Sequence, residues 1–242
     1  MRHALLMSTA LLGLPLAAWA GSDPFYIGSA SAPGGSSKLA VRLTTDCPKD
    51  QLVQVLAVEV GDHDTNVTAT DSRGVNWYQA GGGSWRGPGV RGFFLATTSP
   101  REATNAGLAK GDVITLTYAN KTGWKGAIAA CIPTAETRSG SADNTMPSRS
   151  PAGTGTTITL KPPPHPKSPN EPLFIATVLQ GDSSDAWTES DGYKTLFTLQ
   201  DGVTVNLAYQ IIGSGGPTAY SATNSAPRPW SASNRSYKTL PK

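Results

Sequence analysis

The chain has few of the residues that most enzymes use for chemistry. It contains two cysteines, Cys47 and Cys131, and three histidines, His3, His63 and His165. The cysteines form no Cys-x-x-Cys pair and no histidine has ligand spacing to a cysteine, which argues against redox catalysis and a zinc site. No Gly-x-Ser-x-Gly motif is present, and nothing in the proline-rich run around His165 would orient its ring for a serine triad.

Charge and long hydrophobic runs are also scarce. Only 15% of the residues are charged, the net charge is +3, and the basic residues are scattered, which argues against a nucleic-acid partner. Beyond residue 20 no segment is apolar over the length that a bilayer requires, so we expect no membrane span. No stretch keeps helical periodicity for three turns, which excludes a mainly helical fold.

The first 20 residues have the organisation of a secretory signal peptide. A short polar start containing Arg2 and His3 precedes an apolar run, and Ala18-Trp19-Ala20 is a small-x-small cleavage site. We therefore predict cleavage near Ala20 and a secreted product, either extracellular or periplasmic. In such an oxidising compartment Cys47 and Cys131 are expected to form a disulfide, the alternative being two separately buried thiols.

What the chain does contain is short, alternating, β-branched runs between turn residues. These patterns predict strands, and Asp201-Gly202 between two such runs is typical of a tight hairpin. We predict an all-β protein, an antiparallel β-sandwich of the jelly-roll or immunoglobulin-like kind. Residues 21–242 are expected to form one domain, with a connection rich in Pro, Ser and Thr near residues 136–172 that holds one short strand candidate at 156–160.

A weak internal repeat recurs 120 residues along the chain. Gly61-Asp62 aligns with Gly181-Asp182, and Thr68 aligns with Thr188. The apolar residues upstream also align, namely Val53, Val55 and Val58 with Leu173, Ile175 and Val178. The repeat predicts two similar strand pairs that face each other in the sandwich.

An acidic loop follows the strand predicted at 51–60. Asp62, Asp64 and Asn66 supply oxygen atoms of the kind that calcium prefers, which makes calcium the one cofactor that we consider. An EF-hand is excluded, because Val67 and Arg73 occupy its sixth and twelfth positions, where Gly and Glu are required. A calcium site of another kind and a turn capped by Asx hydrogen bonds both remain open.

A glycine-rich loop predicted at 81–89 carries the candidate ligand site. Trp85 and Arg86 lie among glycines that offer no packing, so the indole is expected to be exposed and able to stack on a sugar ring. Tyr78 and Arg91 flank the loop and complete the candidate ligand-binding set. The alternative is that Trp85 folds back over the sheet edge.

The run Asp71-Ser-Arg-Gly-Val-Asn-Trp77 after the second long strand, and Trp230 with Tyr237-Lys238 near the C-terminus, carry a family resemblance. The chain resembles a loosely defined group of secreted bacterial and phage-associated β-sandwich domains, mostly of unassigned function. In that group Asn is usual where this chain has Val75. The resemblance implies a sandwich fold and a role in surface binding or adhesion.

Three functions follow from these observations. The first is a non-catalytic module that binds an extracellular glycan or cell-surface polymer. The second is a structural, self-associating matrix or appendage protein, since long strands and low charge permit edge pairing. The third is a hydrolase of an extracellular polymer. For that third function Glu59 and Glu189 are the only candidate pair of catalytic carboxylates for glycoside cleavage, and nothing in the sequence brings them together.

Overall fold

The computed structural model is all-β and antiparallel, as predicted. It describes residues 23–49, 51–61, 66–96, 107–121, 123–133, 142–143, 151–161, 171–181, 187–189 and 192–237, without the side chains of 78–84 and 142–143. No helix lies in these ranges. The predicted signal peptide lies outside the described residues.

The first half of the chain forms a unit of eight strands. They are β1 (Phe25–Ala32), β2 (Lys38–Arg42), β3 (Leu52–Val60), β4 (Val67–Asp71), β5 (Asn76–Gly87), β6 (Val90–Ala96), β7 (Val113–Tyr118) and β8 (Trp124–Ile132). Their hydrogen-bonded order is β1-β8-β3-β6-β5-β4-β7-β2. The sheet folds over on itself, because apolar residues from β1, β3, β6 and β8 share one core with those from β2, β4 and β7.

The second half forms a unit of seven strands. They are β9 (Ala142–Asp143), β10 (Ala152–Leu160), β11 (Pro172–Gln180), β12 (Trp187–Glu189), β13 (Lys194–Gln200), β14 (Val203–Ile211) and β15 (Tyr220–Tyr237). The main order is β10-β15-β11-β14-β13, and β12 and β9 also pair with β15. The strand predicted at 156–160 is therefore the end of a longer strand, because Thr and Gly residues that read as linker pair with the last strand.

The two units repeat one topology. Strand β3 is flanked by β8 and β6, and β11, which starts 120 residues later, is flanked by β15 and β14. Both central strands are buried on both faces except at the last residue, and each is followed by a glycine with positive φ, Gly61 and Gly181. The short strands β4 and β12 also begin 120 residues apart, at Val67 and Trp187. Val67 faces Tyr118 of β7, and Trp187 faces Asn224 of β15. The weak sequence repeat thus corresponds to a structural one.

The two units differ in the strands that connect the two layers of each sheet. In the first unit β1 and β2 are separate strands that pair with β8 and β7, respectively. In the second unit the single strand β10 corresponds to β1 and β2 together. The single strand β15, which pairs with β10, corresponds to β7 and β8. A bulge between Gly155 and Thr157 marks the corner in β10.

A central core joins the units face to face. It contains Leu56 and Phe94 from the first unit and Val178 and Leu207 from the second. Strand β5 of the first unit contacts β15 of the second. Strand β13 corresponds to β5 and contacts β8, which corresponds to part of β15. The packing therefore has an approximate two-fold relation, as expected for a duplicated unit that pairs with its copy.

The predicted disulfide is present. Cys47 and Cys131 are bonded, are buried, and lie 84 residues apart in sequence. Cys131 lies on the inner face of β8, and Cys47 pairs through its backbone with Leu108 in a β-bridge. The bond ties the loop before β3 to the central strands of the first unit.

Candidate functional site

Trp85 is not the exposed indole that the glycine-rich run suggested. The segment predicted as a loop belongs to strand β5, and Trp85 is only 3% exposed within the central core. Its cross-strand neighbour is Gly92, and a Cβ at that position would lie 2.1 Å from the indole ring. The indole fills the space above this glycine and contacts Phe94, with ring centroids 5.5 Å apart. The expectation of exposure is therefore wrong, because the glycine that makes room for the ring lies on the next strand.

The other predicted site residues are divided between several places. Tyr78 faces Ala96 by its backbone in the β5–β6 pair, and its side chain lies outside the described residues. Asp62 and Asp64 also lie outside them, while Asn66 is exposed just before β4. In the ranges that the structure describes, no group of three or more His, Cys, Asp or Glu side chains is arranged to hold a metal ion. Calcium binding by the acidic loop stays a prediction.

Arg86 and Arg91 belong to a row of charged side chains across the first unit. In successive strand pairs Lys125 faces Glu59, Glu59 faces Arg91, and Arg91 faces Arg86. Directly opposed residues point to the same face of a sheet, so the row runs from the buried Lys125 to the exposed Arg86. The row brings together Arg86 and Arg91, two members of the predicted ligand-binding set, and their role in binding stays a prediction.

The buried end of the row is a structural ion pair. Lys125 Nζ lies 3.6 Å from Glu59 Oε1, with both side chains at most 1% exposed. The same ammonium donates to the backbone carbonyls of Lys121 and Gly123, which fixes the β7–β8 turn. It also lies 5.4 Å from the ring centre of Tyr118, and burial, then the charge of Glu59, raise the pKa of that phenol. These contacts point to folding rather than to ligand binding.

The Asp71 turn, which carried the family resemblance, is also structural. The Asp71 carboxylate accepts hydrogen bonds from the backbone N–H groups of Arg73 and Val75, from the Arg73 guanidinium, and from Trp77 Nε1 at 3.5 Å. Arg73 also donates to the carbonyl of Gly107 at 2.7 Å. The spacing from Asp to Trp thus lets one carboxylate hold a tight turn and a core indole together.

Removing this carboxylate is expected to destabilise the protein in a pH-dependent way. Burial raises the pKa of Asp71, but the hydrogen bonds from Arg73 and Val75 outweigh burial and hold that pKa below its usual range. Its stabilisation is therefore complete above the unfolded-state pKa of about 3.9 and is lost as pH falls through the lower folded-state pKa. We expect Asp71→Ala to lower the free energy of unfolding by about 2 kcal/mol at neutral pH. Urea denaturation of the unaltered protein and of Asp71→Ala between pH 7 and pH 2 measures the difference in their free energies of unfolding. A difference that stays the same down to pH 2 would contradict the prediction.

A second polar cluster, in the second unit, was not assembled by sequence reasoning. Glu189 Oε1 accepts hydrogen bonds from Trp187 Nε1 at 3.3 Å and from the Tyr220 hydroxyl at 3.2 Å. Glu189 Oε2 accepts one from the Thr195 hydroxyl at 2.7 Å. Trp187 and Glu189 are half-buried on β12, and Thr195 is exposed. We call these four residues the Glu189 site.

A second tyrosine, Tyr193, packs against Tyr220 beneath the Glu189 site. The Tyr220 ring meets the Tyr193 ring edge to face, with centroids 5.0 Å apart. Tyr193 donates to the carbonyl of Thr218, and burial nevertheless raises its pKa to about 12. Burial and the nearby Glu189 carboxylate raise the pKa of Tyr220 as well. Both phenols are therefore neutral hydrogen-bond donors at physiological pH.

The first unit has apolar residues at the positions that correspond to this cluster. By strand register Glu189 corresponds to Ala69, and Tyr220 corresponds to Ile114, both buried apolar residues of the first unit. The half-buried Glu189 carboxylate lies where the first unit has the buried Ala69, so packing of the shared topology does not explain why a carboxylate is present. The sequence contained this signal, since the repeat that aligned Thr68 with Thr188 places Ala69 against Glu189.

The carboxylate pair considered for glycoside hydrolysis is divided between the units. Glu59 lies buried in the first unit beside Lys125, and Glu189 lies on β12 of the second unit with neutral donors. A glycosidase needs two carboxylates on either side of one bond. The different partners of these two side chains do not favour that arrangement.

No protein-family model, curated protein or solved structure matches the chain. In the described part of the chain, no helix has the length and apolar character needed to cross a membrane.

Proposed function

We propose that the chain is a secreted, non-catalytic binding protein for an extracellular glycan, and that the Glu189 site holds the sugar. The observation that carries this proposal is a half-buried indole whose ring nitrogen is fixed by a carboxylate. Sugars bind to such surfaces because their C–H faces stack on an aromatic ring while their hydroxyls meet nearby polar groups.

The fixed orientation of the indole favours binding. Trp187 packs on one side against the core of the second unit, and its Nε1 donates to Glu189. A side chain already held in place loses little conformational entropy when a ligand arrives. Glu189 and Thr195 lie beside it as polar partners for sugar hydroxyls.

Replacing Trp187 with alanine is expected to weaken glycan binding by roughly 30-fold, about 2 kcal/mol, which is typical of an aromatic anchor. Co-sedimentation of the mature protein with insoluble polysaccharides and bacterial cell walls measures the binding. The matched control is Trp230→Ala, because Trp230 also packs, partly buried, against the second-unit core and lies over Gly153. Equal loss in both variants, or no polysaccharide that binds the unaltered protein, would contradict the proposal.

Self-association through a sheet edge is less favoured. The edge strand β10 has no charged residue to oppose pairing, and among the described strands it pairs only with β15. Its bulge between Gly155 and Thr157 bends that edge, and bulges of this kind oppose edge-to-edge pairing.

A further inference from the structure

The Glu189 site carries a carboxylate without a cationic partner among the described residues. Its three hydrogen-bond donors are an indole N–H and two hydroxyls, all neutral. The basic residue closest in sequence, Lys194, instead places its Nζ 2.6 Å from Asp23 Oδ2 and over the ring of Tyr209. A half-buried carboxylate of this kind is a strong acceptor for a charged donor from a ligand.

Acceptor capacity remains at the exposed side of the site. Each carboxylate oxygen accepts about two hydrogen bonds. Among the described residues Glu189 Oε2 has one donor, the hydroxyl of the exposed Thr195. A ligand that donates to Oε2 therefore completes its hydrogen bonding without displacing a protein group.

This inference rests on the proposed function and specifies its ligand: we propose that the Glu189 site prefers a sugar with a free, protonated amino group over its neutral N-acetylated counterpart. An ammonium group can donate one of its three N–H groups to Glu189 Oε2, and its positive charge lies beside the negative carboxylate. A uronic acid would meet repulsion at the same place.

The test compares two oligosaccharides of equal length, a β-1,4-linked glucosamine tetramer and its N-acetylated form, by isothermal titration calorimetry at a pH that keeps the amines protonated. We expect the unaltered protein to bind the glucosamine tetramer about tenfold more tightly, and Glu189→Gln to remove that preference. Trp187→Ala is expected to weaken binding of both tetramers. Thermal unfolding of each variant verifies that it is folded.

Salt dependence supplies a readout that needs no variant. Raising the salt concentration is expected to weaken binding of the glucosamine tetramer and to leave the N-acetylated tetramer nearly unchanged. A preference that survives Glu189→Gln, or equal salt dependence for the two tetramers, overturns the inference. The proposed function still stands in that case if Trp187→Ala weakens binding of both tetramers. Failure of every glycan to bind the unaltered protein overturns both.

Discussion

Replacing Cys47 and Cys131 together with alanine is expected to lower the free energy of unfolding by about 4 kcal/mol. The bond joins residues separated by 84 positions, so it restricts a long loop in the unfolded chain. Both side chains are buried in the core of the first unit and donate no hydrogen bond once oxidised, so alanine removes no hydrogen-bond donor. Urea denaturation of the oxidised protein and the variant at equal pH measures the difference.

The disulfide experiment has an internal control in the reduced, unaltered protein. Its midpoint of unfolding should fall close to that of the double alanine variant, because both lack the same constraint. A loss below about 1 kcal/mol would show that the unfolded chain is already restricted in this region or that the native bond is strained.

Replacing Lys125 with methionine is expected to destabilise the protein by about 3 kcal/mol. The change removes the cation that lies 3.6 Å from the buried Glu59 carboxylate. It also removes the donor to the carbonyls of Lys121 and Gly123. Methionine keeps most of the side-chain volume, so the loss reports charge and hydrogen bonding rather than a cavity.

A double variant separates the ion pair from the turn contacts. In Glu59→Gln with Lys125→Met the buried carboxylate is absent, so we expect a smaller loss than in Lys125→Met alone. Denaturation of the single and double variants completes the cycle. A double variant less stable than Lys125→Met would show that Glu59 stabilises the fold through its other contacts.

The fold class, the disulfide and the repeat could be predicted from local patterns. Alternating β-branched runs indicate strands, and two lone cysteines behind a predicted signal peptide indicate a disulfide bond. The aligned apolar residues at Val55 and Ile175 lie on equivalent inner faces of β3 and β11. These features depend on residues close in sequence or on a single pair, which is why the sequence was sufficient.

The candidate site was harder to predict, since it depends on contacts between distant strands. Trp85 was expected to be exposed because its own neighbours are glycines, but its environment is set by Gly92 and Phe94 on the next strand. Glu189 reads as an isolated carboxylate until β12 pairs with β15 and brings Tyr220 to it. The function and the secreted location remain proposals based on these residues and on the leader sequence.

Indole N–H signals in a nuclear magnetic resonance titration test the account most directly. Beyond the predicted signal peptide the chain has five tryptophans, Trp77, Trp85, Trp124, Trp187 and Trp230. When the glucosamine tetramer is added, the signal that is lost in Trp187→Ala should move the most, because its Nε1 donates to the carboxylate that receives the ligand. If another indole signal moves most, or none moves at saturating ligand, the Glu189 site is not where this protein binds sugar.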